Sequence, residues 1–343
     1  MVNCQWAMAD ATAIKNYMKE ILVMGLLLLT TSFLLAQTKI DDIINVKEVE
    51  RIETSLSSDD MRGRKIFTPD IDRAADFIAN EFKKTGLENL QPGTNQAAND
   101  TDDYRQKFIL GPTHPQQLTN IVGVLPGKSR KDEYVIFSAH YDHLGVNKPV
   151  NGDSIYNGAN DDASGVTALI MLAKYFKALG NNERTIVFAA FTGEEMGGLG
   201  SQYFSRQFDP NKVVAMFNIE MIGTESKWGK NSAYITGYEK TDMGRILQKN
   251  LAATDFTFYP DPYTNQNLFY RSDNASLAML GVPAHTISTS KMDNEPNYHK
   301  VSDQIETLDL DNMSMIIDAI ALSSKTIIAG KDTPTRVKVR ELN

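Results

Sequence analysis

The sequence predicts an α/β fold: a mostly parallel, mixed central sheet with helices on both faces. Three observations carry this. Continuous apolar runs at 134–139 (YVIFSA), 185–191 (TIVFAAF) and 213–219 (VVAMFNI) have the composition of strands buried on both faces. Segments of helical periodicity separate them, as crossovers between parallel strands require. Polar clusters follow the ends of the runs, which is where open α/β sheets place their ligands.

The elements follow in order. Residues 21–36 form an uncharged, leucine-rich stretch behind Lys19, with Ala36, Gln37 and Thr38 after it. This reads as an export signal cleaved near Ala36. It is shorter than the roughly 20 apolar residues of a spanning helix, and retention as an anchor is the alternative reading. Residues 1–37 are therefore assigned as extension plus signal. The chain is expected to be exported, periplasmic or secreted, with no stable membrane association after cleavage. The single cysteine, Cys4, lies in this segment. The mature chain then has no disulfide and must be held by its core and by any metal it binds.

Residues 38–330 are read as one domain, with a helical N-terminal part (38–117) and a core (118–330), followed by a tail at 331–343. In the first part, 41–56 alternates charged and apolar residues at helical spacing. Thr68-Pro69-Asp70 is a helix start and Gly86 a stop, with Ala74, Phe77, Ile78 and Phe82 on one face. The polar, Gly- and Pro-containing stretch 91–103 reads as a loop. Helices are expected at 164–179, closed by Gly180, then at 199–208, 241–253 and 310–329. Further strands are expected at 232–236 and 282–288.

Composition narrows the function. Across 343 residues, 42% are hydrophobic and 23% charged, which argues against general disorder. A net charge of −8 disfavours a nucleic-acid partner, because such a chain gains nothing from counterion release.

Five polar motifs remain: His140-Tyr141-Asp142-His143, then Gly158 to Gly165 (GANDDASG), Thr192-Gly193-Glu194-Glu195, Glu220, and Asn297-Tyr298-His299. Neutral imidazole and carboxylate oxygen are zinc ligands. Several carboxylates gathered together repel at neutral pH, and divalent cations remove that repulsion. An Asp between two ions can bridge them, and histidine favours zinc over calcium or magnesium. Singly, each motif has a plainer reading, such as a helix cap at Asp161-Asp162 or a solvated pair at Glu194-Glu195. Met171, Met196, Met221 and Met279 read as core, and His114 and His285 as structural. His143 could donate a hydrogen bond in the site. Tyr270 could stabilise an oxyanion.

The order HYDH, GANDDASG, TGEEMGGLGS, FNIEMIG, NYHKVSD resembles the dinuclear, cocatalytic zinc aminopeptidases typified by bacterial leucyl aminopeptidases. Glutamate carboxypeptidases and glutaminyl cyclases are related to them. The resemblance covers about 118–329 and implies the zinc exopeptidase fold and two Zn2+ per chain. It implies that His140 and Glu220 hold one zinc, that Glu195 and His299 hold the other, and that Asp161 bridges them. Asp142 would orient the His140 ring, Asp162 would shape a cis Asp161–Asp162 link, and Glu194 would be the general base. The substrates implied are peptides with a free N-terminus, hydrolysed by a two-zinc-activated water.

Two positions depart from the family. Glu220 stands where Asp is common, and Ser272-Asp273-Asn274 stands where Ser-Asp-His is frequent. A carboxypeptidase-type relative would want an arginine cluster, for which Arg271 is one candidate. A glutaminyl-cyclase-type relative would lack the full second ligand set, and a non-catalytic binding module would have lost ligands or the base.

Overall fold

The apolar runs pair side by side at the centre of one sheet. The computed structural model describes residues 18–19, 42–90, 97–98, 104–111 and 116–339. The run at 21–36, its cleavage point and His114 lie outside the described residues. Chain contacts separate Met1–Ile43 from a compact unit, Ile44–Asn343, which contains the sheet and its covering helices. Among the described residues, no helix is long and apolar enough to cross a membrane.

The strands are β1 (Glu88–Leu90), β2 (Ala97–Ala98), β3 (Arg105–Ile109), β4 (Gln117–Leu125), β5 (Arg130–His140), β6 (Gly145–Val150), β7 (Asp153–Tyr156), β8 (Arg184–Phe191), β9 (Val213–Ile219), β10 (Ser232–Ile235), β11 (Thr257–Pro260) and β12 (Ala284–Ser288). The main sheet runs β11-β10-β12-β9-β5-β8-β4-β1-β2, with β3 on β4. Its centre, β12-β9-β5-β8, is parallel. β4 joins β8, and β10 joins β12, antiparallel, so the sheet is mixed and mostly parallel at its heart.

Both faces are covered. On one, the helix Ser164–Leu179 lies on β5, β8 and β9, and the helices Val46–Leu56, Pro69–Thr85 and Leu310–Ile328 pack around it. Register stacks Phe137 between Phe188 and Phe217 on the neighbouring strands, and Phe176 of the helix closes that aromatic layer. On the other, the short helices Leu199–Ser205 and Asn274–Ala278 cover a cluster that includes Ile136, Val187, Phe191, Phe204 and Leu277.

The expected boundaries follow local chemistry. Thr68 caps its helix through Asp70 N–H, with Pro69 in the first turn and Gly86 left-handed at the end. Gly180 ends the long helix in the same way. Several findings differ from the sequence reading, β1, β3 and β11 among the strands it did not expect. β4 was not expected, because Thr119, Asn120 and Gly123 break its apolar pattern. Asn120 is fully buried there because its amide bonds Gly200 O and Gln106, and its oxygen accepts Thr192 N–H. A hairpin, β6–β7, turns through Asn151-Gly152, both at positive φ, and Ala97–Ala98 pairs with β1 inside the supposed loop. Met196 and Met279 are exposed, at 61% and 57%, not core. Met196 rides the turn after the Glu pair, and Met279 ends a one-turn helix.

Candidate metal centre

Strand register brings the first residues together. β5 ends at His140, level with Phe191 of β8. Ser138 pairs with Asn218 of β9, so Glu220, two residues on, emerges level with His140. Glu194 and Glu195 follow β8 after a turn at Gly193, where φ is +73°. Asp161 enters from the loop before the long helix, across a cis peptide to Asp162. His299, at φ +57°, comes from the late loop and stacks on Tyr298.

The side chains converge. His140 Nε2 lies 3.2 Å from Asp161 Oδ1. His299 Nε2 lies 3.2 Å from Asp161 Oδ2 and 3.1 Å from Glu195 Oε2. Asp161, between the two imidazoles, is only 2% exposed. Asp161, Glu194, Glu220 and His299 line one cavity with Arg271 and Tyr298 at its wall. Glu220 Oε2 accepts from Ser272 Oγ and, at 3.4 Å, from Asn218 Nδ2.

The supports are equally specific. Asp162 is fully buried and accepts the backbone N–H groups of His140, Gly165 and Met221. It thereby ties the ends of β5 and β9 to the start of the helix. Gly165 is required there, since a Cβ would lie 2.5 Å from the Asp162 carboxylate. Asp303 accepts the N–H groups of Asn160 and Asp161. The Asp142 carboxylate accepts Glu194 N–H at 3.1 Å and stands 3.8 Å from His140 Nδ1, which is 3.1 Å from the Asp142 carbonyl oxygen. Arg64, fully buried, donates to the carbonyls of Leu56, Tyr141, Asn157 and Gly158. Sequence reasoning missed Arg64 and Asp303. Asp303 was within reach, as the end of the NYHKVSD motif.

The electrostatics show what the cluster lacks. Burial opposes charge on His299, yet Asp161 and Glu195 outweigh it and raise the imidazole pKa to about 10. Burial likewise disfavours charge on His140, and the carboxylates around it still push its pKa well above 6.5. Burial raises Glu220 to about 7, with the neighbouring Asp161 and Asp273 adding to the shift. Burial, then Glu220, Asp273 and Asp161, raise Glu194 well above its usual value, although His140 opposes them. Divalent cations would relieve the crowding of these carboxylates.

The donor geometry fits a metal. His140 Nε2 and Asp161 Oδ2 are buried and have no hydrogen-bond partner, although a neighbour stands 3.2 Å from each. An orphaned imidazole nitrogen beside an orphaned carboxylate oxygen is the donor chemistry of zinc.

Other expectations resolve simply. His285 is buried and bonded to Thr241 Oγ1 and Thr236 O, as a structural histidine. Tyr270 is 43% exposed and stacks edge-on against Phe269; the tyrosines lining the cavity are Tyr234 and Tyr298. Arg271 is the one cation among the described cavity-lining residues apart from histidine, so no arginine cluster forms.

Fold and site together define an α/β protein with a buried cluster of imidazoles and carboxylates at the carboxyl edge of its parallel strands. The chain belongs to peptidase family M28, whose model matches residues 120–323. A probable leucine aminopeptidase of Trichophyton verrucosum (strain HKI 0517) is 30% identical over 204 residues, 57% of this chain and 53% of that protein. This chain thus spans about half the length of that curated relative, and a quarter of a probable zinc metalloprotease of Pyrenophora tritici-repentis (strain Pt-1C-BFP), 40% identical over 111 residues, 32% of this chain and 25% of that protein. Among solved structures, the LapA aminopeptidase of Legionella pneumophila superposes with a TM-score of 0.64 at 19% identity, over 85% of this chain and 75% of that one. That likeness shows the fold.

Proposed function

We propose that this chain is a zinc-dependent aminopeptidase that removes N-terminal residues from peptides. One observation carries the reading: His140 and His299 approach opposite oxygens of a buried Asp161, the arrangement of a carboxylate shared between two cations. His140 and Glu220 would hold one zinc, Glu195 and His299 the other, with Asp161 common to both. Bound there, the two ions would acidify a water and polarise the scissile carbonyl. Glu194 lines the same cavity, and its buried carboxylate takes the water's proton and passes it to the leaving amine. The carboxylates facing the cavity attract the substrate's protonated α-amine.

The test compares aminoacyl-nitroanilides with amino-blocked and carboxyl-blocked peptides, alongside elemental analysis after zinc reconstitution. Hydrolysis that needs a free amine, with two zinc ions per chain, is expected. Cleavage of amino-blocked peptides, release of pyroglutamate alone, or a single firmly bound ion would overturn it.

A further inference from the structure

We infer that His143 is a positioning residue that holds one oxygen of Glu195, so that Glu195 offers only its other oxygen to the metal it shares with His299. The inference rests on the proposed zinc-dependent function.

His143 ends the HYDH motif, and its side chain is fully buried. Its Nδ1 lies 2.8 Å from Glu195 Oε1 with hydrogen-bond alignment. The opposite oxygen, Oε2, faces His299 Nε2 at 3.1 Å. The two imidazoles therefore grip the two ends of one carboxylate. A carboxylate oxygen accepts, so a 2.8 Å hydrogen bond at this place is donated by Nδ1–H, which leaves Nδ1 no lone pair for a metal.

The alternative is that His143 is itself a ligand. Its Nδ1 and one oxygen each of Asp161 and Glu195 lie within 4.8 Å of one another, close enough for a common ion. Two observations decide against it. Nδ1 stands 3.8 Å from Asp161 Oδ2, farther than His299 at 3.2 Å. The 2.8 Å contact is aligned as a hydrogen bond through Nδ1, so the lone pair left on the ring is that of the buried, unpartnered Nε2 and not of the nitrogen that faces Glu195.

The scaffold holds the ring in place. His143 N–H donates to Arg64 O, which joins this turn to the buried arginine. The ring lies over Gly158, where a Cβ would come 2.5 Å from Cδ2. Its edge meets His299, with centroids 5.7 Å apart. A carboxylate gripped in this way presents a fixed lone pair, and groups that orient a ligand are typically worth about 10- to 100-fold in metal affinity.

The experiment uses the full chain, with zinc as the probe. Zinc-edge absorption fine structure on wild-type protein carrying two zinc equivalents should fit a single imidazole on each zinc. Equilibrium dialysis against zinc buffers should show His143→Leu weakening one of the two sites by about 10- to 100-fold. His143→Asn places an amide N–H where Nδ1 stood and should recover most of the loss. More imidazole than one per zinc in the wild type would make His143 a ligand and overturn the inference. So would unchanged zinc affinity in His143→Leu, or His143→Asn as weak as His143→Leu. In each of those cases the protein still binds zinc, so the aminopeptidase reading stands; a wild type that takes up no zinc sinks both. The wild-type measurement does not depend on either variant folding.

Discussion

Glu194 and Glu195 are adjacent in sequence and identical in chemistry, yet their surroundings assign them different tasks. Both Glu195 oxygens meet imidazoles, at 2.8 and 3.1 Å. Glu194 lines the cavity with Glu220, and its backbone N–H is anchored to Asp142. Changing Glu194→Gln keeps the shape and removes only the proton acceptor. Losing a general base costs about 10²–10⁴ in rate, or about 2.7–5.5 kcal/mol of barrier. Zinc content should not change. Changing Glu195→Gln instead removes the charge facing two imidazoles. Each charge-assisted contact contributes about 1.5–3 kcal/mol, so the pair predicts a loss of about 10²–10⁴ in zinc affinity at that position. Similar magnitudes should therefore appear in different observables. Activity of both variants on an aminoacyl-nitroanilide, followed through a zinc titration, separates them. Excess zinc should restore part of the Glu195→Gln activity and none of the Glu194→Gln activity. A Glu194→Gln protein that loses zinc, or a metal-replete and inactive Glu195→Gln protein beside a near-normal Glu194→Gln, would refute the assignment.

Arg64→Met removes the side-chain donor from four buried carbonyls, of which Gly158 O keeps the Ala163 N–H, and should cost more than about 4 kcal/mol in denaturant unfolding, with Arg64→Lys intermediate; a loss under about 1 kcal/mol would show that the arginine does not tie these segments together. Glu53 is fully buried, and desolvation raises its pKa from 4.5 to about 8, against a hydrogen bond from Thr167 and the Arg64 charge. The folded state then holds this proton more tightly than the unfolded state does, so its contribution falls as pH rises from about 4.5 to about 8, by about 1.4 kcal/mol per pH unit. Unfolding free energies of wild type and Glu53→Gln at pH 5 and pH 8 should diverge, with the variant gaining at pH 8; a constant difference would refute this. Ser272→Ala removes the hydroxyl that donates to Glu220 and should weaken one zinc by about 10- to 100-fold while sparing the other, measured by dialysis against zinc buffers; equal loss at both positions would contradict it.

The readable parts of the sequence were those in which local chemistry and global fold agree. The long helix from Ser164 to Leu179 ends at a glycine that adopts the left-handed conformation, and the three apolar runs could be buried only at the centre of a sheet. β4 was hidden because its polar residues serve tertiary partners: Asn120 bonds Gly200 and Thr192, some 70 to 80 positions away. No periodicity records that. Arg64 was hidden for the same reason. In sequence it is one more basic residue in a charged segment, and only the fold brings four carbonyls around it. His140 and Glu220 stood out because a strand end followed by an imidazole or carboxylate is costly unless it serves something, and the family resemblance singled out Asp161, Glu195 and His299. Met196 and Met279 misled because apolar character was read without position. One lies on a glycine-rich turn and the other at the end of a helix too short to bury every side.

The acidic residues of this centre divide by what they accept. Asp142, Asp162 and Asp303 take backbone N–H groups: from Glu194, from His140, Gly165 and Met221, and from Asn160 and Asp161. Each of those donors belongs to, or directly neighbours, a segment that carries one of the converging side chains. Asp161, Glu195 and Glu220 meet imidazoles, a hydroxyl and a side-chain amide instead. A carboxylate bound by fixed backbone donors is held in place, although burial still raises Asp142, Asp162 and Asp303 above their usual values. One bound by side chains can exchange those partners for a cation. The anchoring acids hold the frame, while the acids met by side chains have partners that a cation could replace. Sequence alone cannot make this division, as the pair Asp161-Asp162 shows. The two are neighbours of the same type, and the turn between them points one at the imidazoles and the other at three amides.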